Sequence, residues 1–236
     1  MIYERLGLSL ENPQVISVVG AGGKTSLITL LAEELKVLNK KVLSTTSTQI
    51  FKPNNIDYFF LNKIPEDFIP RSGSITSFGD YVKDGKLIGP NIKDINMLIR
   101  RQIFDCILIE ADGANRKALK AHAGHEPVVS ELSTITIGLI GLDCLGEVLD
   151  ESNFHRSELI SNIIDKQVGQ EIDSNDIVHL ILNKNGAFKG SIGRKILILN
   201  KANTATKIKA GKFIREKLQN QDMDILICNI VTKEFF

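Results

Sequence analysis

The chain has 236 residues, of which 24% are charged and 43% hydrophobic, the balance of an ordinary soluble globular protein. Lys and Arg total 29 and Asp and Glu total 28, a formal net charge of +1, so neither a nucleic-acid partner nor an acidic tail is expected. No apolar stretch reaches the roughly 20 residues that a membrane-spanning helix needs, so we expect no membrane partner.

The cysteines and the N-terminus indicate the cellular compartment. Cys106, Cys144 and Cys228 are far apart, odd in number and form no Cys-x-x-Cys pair, which favours three buried thiols in a reducing environment. The first residues, MIYERLGLSLENPQ, carry acids and lack an apolar centre, so we expect no secretory signal. The predicted location is the cytoplasm.

Strand-like and helix-like segments alternate along the chain. Continuous β-branched and apolar runs predict buried strands, and apolar residues three and four positions apart predict helices. Asp84-Gly85, between two short apolar pairs, predicts a hairpin. The predicted strands are 15–19, 41–45, 58–61, 75–78, 106–109, 134–139, 195–199 and 225–230, and the predicted helices are 25–39, 92–102, 157–168, 176–182 and 205–218.

This alternation predicts one α/β domain over residues 1–236. Strands that alternate with helices form a mainly parallel sheet with helices on both faces, a three-layer sandwich. The segment of about 51–91 contains Pro65 and Pro70, and we interpret it as a small β-hairpin insertion.

The most informative stretch is VISVVGAGGKTSLITLLAEEL, where a strand runs through glycines into an amphipathic helix. Glycines let several N–H groups point at one anion, and the helix N-terminus adds its positive dipole end. Lys24 suits the terminal phosphates of a nucleotide, and the Thr25 hydroxyl suits Mg²⁺. We therefore predict a phosphate loop for ATP or GTP with Mg²⁺. Its residues are Gly20, Ala21, Gly22, Gly23, Lys24, Thr25 and Ser26.

Other interpretations of the same turn stay open. The eight-residue P-loop pattern needs a glycine where the chain has Val18, so only the shorter G-x-x-G-K-[ST] form is matched. A dinucleotide-binding turn needs G-x-G-x-x-G, but its sixth position is Thr25 and no acid closes the second strand. A glycine-rich turn that happens to precede a lysine is the remaining alternative.

A second motif places acids at a strand end. The strand CILIE ends in Glu110, and Asp112-Gly113 follows. Phosphoryl chemistry needs an acid there to hold Mg²⁺ or to orient an attacking water, although Asp-Gly is also a common turn dipeptide. The spacing does not decide which acid meets the metal. We predict Lys24, Glu110 and Asp112 as catalytic residues, and Thr25 and Glu110 as metal ligands.

Further polar residues are candidates for substrate binding. Thr45 and Thr46 end a predicted strand, where ligands bind in a parallel sheet, and the cations Arg116 and Lys120 suit an anionic substrate. His125 and Glu126 belong to a possible metal or acid/base cluster with His122, and spacing alone does not explain the His155-Arg156 pair. Solvated turns or surfaces are the alternative for each of them. His122 and His125 form a His-x-x-His pair, which is a weak zinc signal without further ligands. The candidates are Thr45, Thr46, Arg116, Lys120, His125, Glu126, His155 and Arg156.

A later strand ends in Asn200-Lys201-Ala202-Asn203. The guanine-reading element of GTPases is Asn-Lys-x-Asp, in which the Asp accepts from the base. Asn203 keeps an acceptor but lacks the charge that strengthens that bond, so adenine and guanine both stay open. Asn200 and Lys201 are predicted to bind the nucleotide.

Together these motifs resemble the YqeC family, which is described as accessory proteins of selenium-dependent molybdenum hydroxylases. The resemblance rests on VVGAGGKTSLI, the STTST run, EADGANRKALKAHAGHEP, GLDCLG, His155-Arg156, NGAFKG and LNKAN. It implies a P-loop NTPase-like fold. The glycine loop is also similar to the short phosphate loop of Mur ligases, which is an analogy of phosphate handling only.

Residue by residue, the resemblance assigns Lys24 and Thr25 to the phosphate loop. Departures from the family pattern are Ala114, where serine is usual, His122, where proline is usual, and Asn203, where Asp is usual. The matches to the acidic motif and the loop after it are Glu110, Asp112, Gly113, Lys120, His125, Glu126 and Pro127.

The expected function is a nucleotide–Mg²⁺ protein that hydrolyses or transfers a phosphoryl group during maturation of a selenium-containing molybdenum hydroxylase cofactor. The cofactor or its precursor and a molybdoenzyme client are the partners that the resemblance implies. The alternative is a nucleotide-gated chaperone that binds the client and delivers the cofactor with little chemistry of its own. A small-molecule binding protein without nucleotide chemistry is the third hypothesis.

Overall fold

The computed structural model describes all 236 residues, which form twelve strands and six α-helices. The strands are β1 (Gln14–Gly20), β2 (Lys41–Thr46), β3 (Gln49–Phe51), β4 (Tyr58–Leu61), β5 (Ser74–Gly79), β6 (Tyr81–Lys83), β7 (Lys86–Ile88), β8 (Cys106–Glu110), β9 (Ile135–Gly141), β10 (Arg194–Asn200), β11 (Asp224–Asn229) and β12 (Glu234–Phe235). The helices are α1 (Ile2–Arg5), α2 (Lys24–Val37), α3 (Ile92–Arg100), α4 (Ser157–Ile164), α5 (Ser174–Leu182) and α6 (Ala205–Lys217).

Nine strands form one sheet in the order β12-β11-β10-β9-β1-β8-β2-β5-β4. Only β12 is antiparallel to its neighbour, and every other pairing in this sheet is parallel. The first strand is near the centre, between β8 and β9, and Val18 pairs with Glu110. Because parallel strands end at the same edge, the glycine turn and the acidic strand end lie side by side.

Helices cover both faces of the sheet, because successive side chains of a strand point to opposite faces. On β10, Ile196 and Ile198 belong to the core that includes α1 and α2. Leu197 and Leu199 pack into the core under α4, α5 and α6. On β8, Ile107 and Ile109 pack with α3 on that second face. The predicted α/β class, with a mainly parallel sheet flanked by helices, is confirmed.

The helix boundaries differ from the sequence prediction where capping residues act. The Asp173 side chain accepts from the N–H groups of Asn175 and Asp176, so α5 begins two residues before the predicted start. Asp165 has a left-handed backbone, with φ +55°, and ends α4 at Ile164 rather than at 168. The short α1 was not predicted.

The segment of about 51–91 is only partly a hairpin insertion. Tyr58–Leu61 and Ser74–Gly79 pair in parallel and extend the main sheet, and every residue of Ser74–Gly79 is buried. The predicted hairpin is present, with Asp84 and Gly85 at positive φ between β6 and β7. Adding β3 to its edge gives a separate three-stranded sheet.

All three cysteines are free and buried, as the sequence predicts. Burial raises the pKa of the Cys106 and Cys228 thiols to about 12, so both stay protonated at neutral pH. None of the helices combines the length and apolar character needed to cross a lipid bilayer.

Candidate functional site

A cleft of about 860 Å³ opens at the carboxyl edge of the sheet, above the turn between β1 and α2. Only three of its 20 lining residues are hydrophobic, so its surface favours a charged ligand over an apolar one. The volume lies within the range of small-molecule and cofactor pockets.

The first half of the glycine turn is fixed by the protein itself. Gly20 and Gly22 have φ of +90° and +88°, which favour glycine. A Cβ on Gly22 would lie 2.3 Å from the Gly141 nitrogen. The N–H of Ala21 donates to Leu139 and that of Gly22 to Lys117, at 2.9 and 3.0 Å. These two amides therefore hold the turn in place and are not available to a ligand.

The second half of the turn, unlike the first, has N–H groups without hydrogen-bond partners. The N–H groups of Gly23, Thr25 and Ser26 donate no hydrogen bond within the protein, and no side chain caps α2. All three residues line the cleft, and the side chains of Thr25 and Ser26 are exposed. Unpartnered amides at a helix N-terminus, with the positive end of the helix dipole, attract an anion.

Lys24 lies beneath these amides and is 4% exposed. Its Nζ donates to the Gly20 carbonyl at 2.6 Å. The same ammonium group is 3.1 Å from an Asp112 oxygen and 3.7 Å from a Glu110 oxygen. One cation therefore connects the glycine turn to both acids of the second motif.

Glu110 faces the cleft, and its Oε2 accepts from the Thr25 hydroxyl at 2.9 Å. Burial raises the pKa of this carboxyl, and the nearby Lys24 partly opposes that effect. A hydroxyl and a carboxylate held together beside the start of α2 are hard oxygen donors of the kind that Mg²⁺ prefers. The predicted metal ligands, Thr25 and Glu110, therefore form a suitable donor pair.

Asp112 is wholly buried and does not line the cleft. It accepts from the Gly20 N–H at 2.9 Å, and Lys24, Lys120 and His122 each approach it to within 3.1 or 3.2 Å. Burial acts to raise the pKa of Asp112, but the Lys24, His122 and Lys120 partners outweigh it and hold that pKa well below its usual range. Asp112 is placed to support the turn from below, whereas Glu110 is the acid placed to meet a ligand.

The rim of the cleft carries several of the predicted substrate residues. Arg116, Glu126, His155 and Arg156 all line it. Glu126 pairs with Arg156, and with the buried Lys120 at 2.8 Å. Burial acts to raise the pKa of Glu126, but Arg156 and Lys120 lower it to about 2. Burial and the Arg156 charge lower the pKa of His155, which favours its neutral form.

Four of the predicted substrate residues do not line the cleft, namely Thr45, Thr46, Lys120 and His125. Thr45 and Thr46 are fully buried, and their hydroxyls donate to the carbonyls of Phe78 and Glu110, both at 2.8 Å. His125 is exposed and outside the cleft lining. No group of three or more His, Cys, Asp or Glu side chains in the chain is placed to hold a metal ion, and His122 instead faces Asp112.

Of Asn200 and Lys201, which were both predicted to bind the nucleotide, only Lys201 lines the cleft, and Asn200 is buried. Asn200 donates to the Gly22 carbonyl at 2.7 Å and accepts from the Ile230 N–H at 3.0 Å, so it ties the glycine turn to two neighbouring strand ends. Lys201 lines the cleft and pairs with Asp143 at 2.6 Å.

Sequence reasoning missed part of the rim. Phe51 and Lys86 line the cleft, and the Arg116 guanidinium is 4.7 Å from the centroid of the Phe51 ring. Both missed residues lie on the three-stranded sheet, and only tertiary packing brings that sheet to the cleft. The one signal for this part of the rim that the sequence offered was an aromatic residue, Phe51, at a strand end.

Comparison with known proteins identifies relatives of the chain. The model of the family described as YqeC protein matches residues 16–158, more than half of the chain. The chain is 33% identical over 224 residues to the uncharacterized protein YqeC of Escherichia coli strain K12, an alignment that covers 92% of this chain and 87% of that protein. The glycine turn, the acidic strand end and His155-Arg156 all fall within the matched region. The chain therefore belongs to the YqeC family.

Proposed function

We propose that the protein binds a nucleoside triphosphate with Mg²⁺ at residues 20–26 and hydrolyses or transfers its terminal phosphoryl group. The observation that carries this proposal is the set of unpartnered N–H groups of Gly23, Thr25 and Ser26, residues that line the cleft together with the buried Lys24. A strand, glycine turn and helix in this order form the phosphate-binding arrangement of P-loop NTPases, and the mainly parallel sheet is compatible with that proposal.

Each residue of the site has a role in this proposal. Lys24 exchanges its carboxylate partners for the β- and γ-phosphates, and Asp112 keeps the Lys120 ammonium and the Gly20 N–H as partners after that exchange. Thr25 and Glu110 would hold Mg²⁺, which would neutralise charge that develops on the transferred phosphoryl group. Asn200 maintains the shape of the turn through the Gly22 carbonyl.

The biological setting of the reaction comes from the family resemblance. We propose that the phosphoryl step serves the maturation of a selenium-containing molybdenum hydroxylase cofactor. The cationic rim of Arg116, Lys117 and Arg156 would suit an anionic cofactor or precursor, since guanidinium and ammonium groups bind phosphate and carboxylate strongly. The chain supplies no residue that marks selenium or molybdenum itself as a ligand.

A nucleotide-gated chaperone is the second candidate, and a chain of ion pairs favours it. Lys24, Asp112, Lys120, Glu126 and Arg156 contact one another in that order, from the glycine turn to the rim. A phosphate that draws Lys24 away from Asp112 would disturb this chain as far as Arg156. In that case a purified molybdoenzyme client would stimulate phosphate release strongly, whereas small cofactor precursors would not.

Substitution of Glu110 tests the enzymatic proposal. The Glu110→Gln variant removes the carboxylate charge beside Thr25 and keeps the side-chain size, so phosphate release from Mg²⁺–ATP or Mg²⁺–GTP should fall by roughly 100-fold or more. Glu147→Gln is the matched control, because Glu147 is exposed and has no ion-pair partner. Equal phosphate release by wild type and Glu110→Gln would remove the proposal.

A further inference from the structure

We propose that the part of the cleft lined by Phe51, Lys86, Arg116 and Arg156, called here the acceptor half, binds a second substrate that has a planar ring and an anionic group. This proposal rests on the proposed function, because it places the substrate beside the terminal phosphates. It goes further by naming the chemical class of that substrate and the residues that recognise it.

The sheet order separates the acceptor half from the part of the cleft near Lys201. The glycine turn follows β1 in the middle of the sheet, and Lys201 follows β10 on one side of it. Phe51 and Lys86 belong to the small sheet that follows β2, on the other side of β1. A polyphosphate bound at the turn therefore has room for its nucleoside toward Lys201 and for a second molecule toward Phe51.

Two cations of the acceptor half, Arg116 and Lys86, are available to a ligand. Arg116 is exposed and has neither an ion pair nor a side-chain hydrogen bond within the protein, and Lys86 likewise has no carboxylate partner. Glu126, one of the two acids that line the cleft, is already paired with Arg156 and Lys120. A free guanidinium and a free ammonium in one cleft attract a phosphate or carboxylate.

The aromatic ring supplies the second part of the recognition. Phe51 is 52% exposed and is one of the three hydrophobic residues that line the cleft. Its ring centroid is 4.7 Å from the Arg116 guanidinium and 5.9 Å from the Lys86 ammonium. A guanidinium that lies over an aromatic ring forms a flat cationic surface with it, and such a surface is suited to a planar ring that carries an anionic group.

The loop that presents Arg116 is also held in an uncommon conformation. Asn115 and Arg116 have φ of +46° and +60° in succession, a backbone region that residues other than glycine rarely adopt. Such conformations are found where a side chain must be aimed. Here the result is a guanidinium directed over Phe51.

Naphthyl phosphate is a suitable probe, because it combines a planar ring with a phosphate. Its affinity for the full chain is measured by fluorescence titration in the presence of saturating Mg²⁺ and a non-hydrolysable nucleotide, and again with the Lys24→Ala variant. Naphthol and inorganic phosphate are the comparison ligands, since each lacks one of the two features. We expect naphthyl phosphate to bind more tightly than either of them, with or without nucleotide.

The variants Phe51→Leu and Arg116→Gln should each weaken naphthyl phosphate binding by about fivefold or more, without loss of thermal stability because both side chains are exposed. Lys52→Ala is the matched control, since Lys52 lies 4.8 Å from the Phe59 ring in a similar pair outside the cleft. Unchanged affinity in both variants, or displacement of the probe by nucleotide, would overturn the proposal. Failure of nucleotide binding with intact probe binding would count against the proposed function alone.

Discussion

At the scale of single residues, Lys24 shows how a buried charge is kept ready for a ligand. A lysine that is 4% exposed would be costly to bury without partners, and Asp112, Glu110 and the Gly20 carbonyl supply them. Asp112 is in turn stabilised by Lys120 and the Gly20 N–H. The arrangement therefore holds the Lys24 ammonium group within reach of the turn.

The ion pairs of Glu126 with Lys120 and Arg156 predict that the free energy of unfolding depends on pH. The pKa of Glu126 is about 2 in the folded protein, against an ordinary value of 4.5, because Arg156 and Lys120 favour the carboxylate and outweigh the opposing effect of burial. A lowered folded pKa contributes stability that is present above pH 4.5 and is lost as the pH falls toward 2.

Glu126→Gln tests this assignment. At pH 7 the variant should have a free energy of unfolding that is lower by roughly 1 to 3 kcal/mol, and its difference from wild type should narrow as the pH falls below 4.5. Urea unfolding at pH 7, 5, 4 and 3 measures the difference. A gap of constant size across this series would show that the Glu126 ion pairs do not contribute as described.

At the scale of elements, the junction of β1 and α2 needs glycine at Gly22 for close backbone approach and at Gly23 for its backbone conformation. Gly22 approaches Gly141 so closely that a Cβ has no room. Gly23, at φ +131°, lies beside the Asn200 side chain. The turn is therefore set by contacts with β9 and β10 as much as by its own sequence.

Gly22→Ala should disrupt this junction. The added Cβ would lie 2.3 Å from a backbone nitrogen at φ +88°, so we expect a loss of roughly 1 to 3 kcal/mol in unfolding free energy together with weaker nucleotide binding. Gly124→Ala is the control, because Gly124 has no atoms within 4 Å of its Cβ position and should change stability by less than about 0.5 kcal/mol. Equal thermal midpoints for the two variants would contradict this account of the turn.

The elements also show what local sequence can predict. The buried strands around Ile16, Leu108 and Leu197 were predicted within two residues, because continuous apolar runs have few other solutions in a globular chain. The pairing of β4 and β5 with the main sheet was not predicted. Strand partners are chosen by long-range packing, and the residues between Phe51 and Asn91 carry equally good signals for hairpins.

The candidate site was predictable to a similar extent. Lys24, Thr25 and Glu110 come together because their strands are neighbours, which the motif context indicates. The separate positions of Glu110 and Asp112 could not be read from their spacing, since the chain turns into the core between them. Thr45 and Thr46 end a strand as predicted, but their hydroxyls bond to the backbone of the sheet.

At the scale of the whole molecule, one long parallel sheet brings every part of the site to a single edge. The central position of β1, with β8 on one side and β9 and β10 on the other, places acid, phosphate turn and Lys201 in sequence along that edge. The small sheet after β2 extends the same edge with Phe51 and Lys86. The proposed nucleotide and the proposed second substrate would therefore share one cleft.

Calorimetric titration with Mg²⁺–ATP and Mg²⁺–GTP tests the central claim most directly. Wild type should bind at least one of them. Lys24→Ala should bind it tenfold more weakly or worse, a loss of about 1.5 kcal/mol or more in binding free energy. Thr25→Val, at an exposed position, should lose the part of the affinity that depends on Mg²⁺. Lys36→Ala, on the last turn of the same helix, should bind as wild type does. Absence of binding to wild type, or wild-type affinity in Lys24→Ala, would contradict the account.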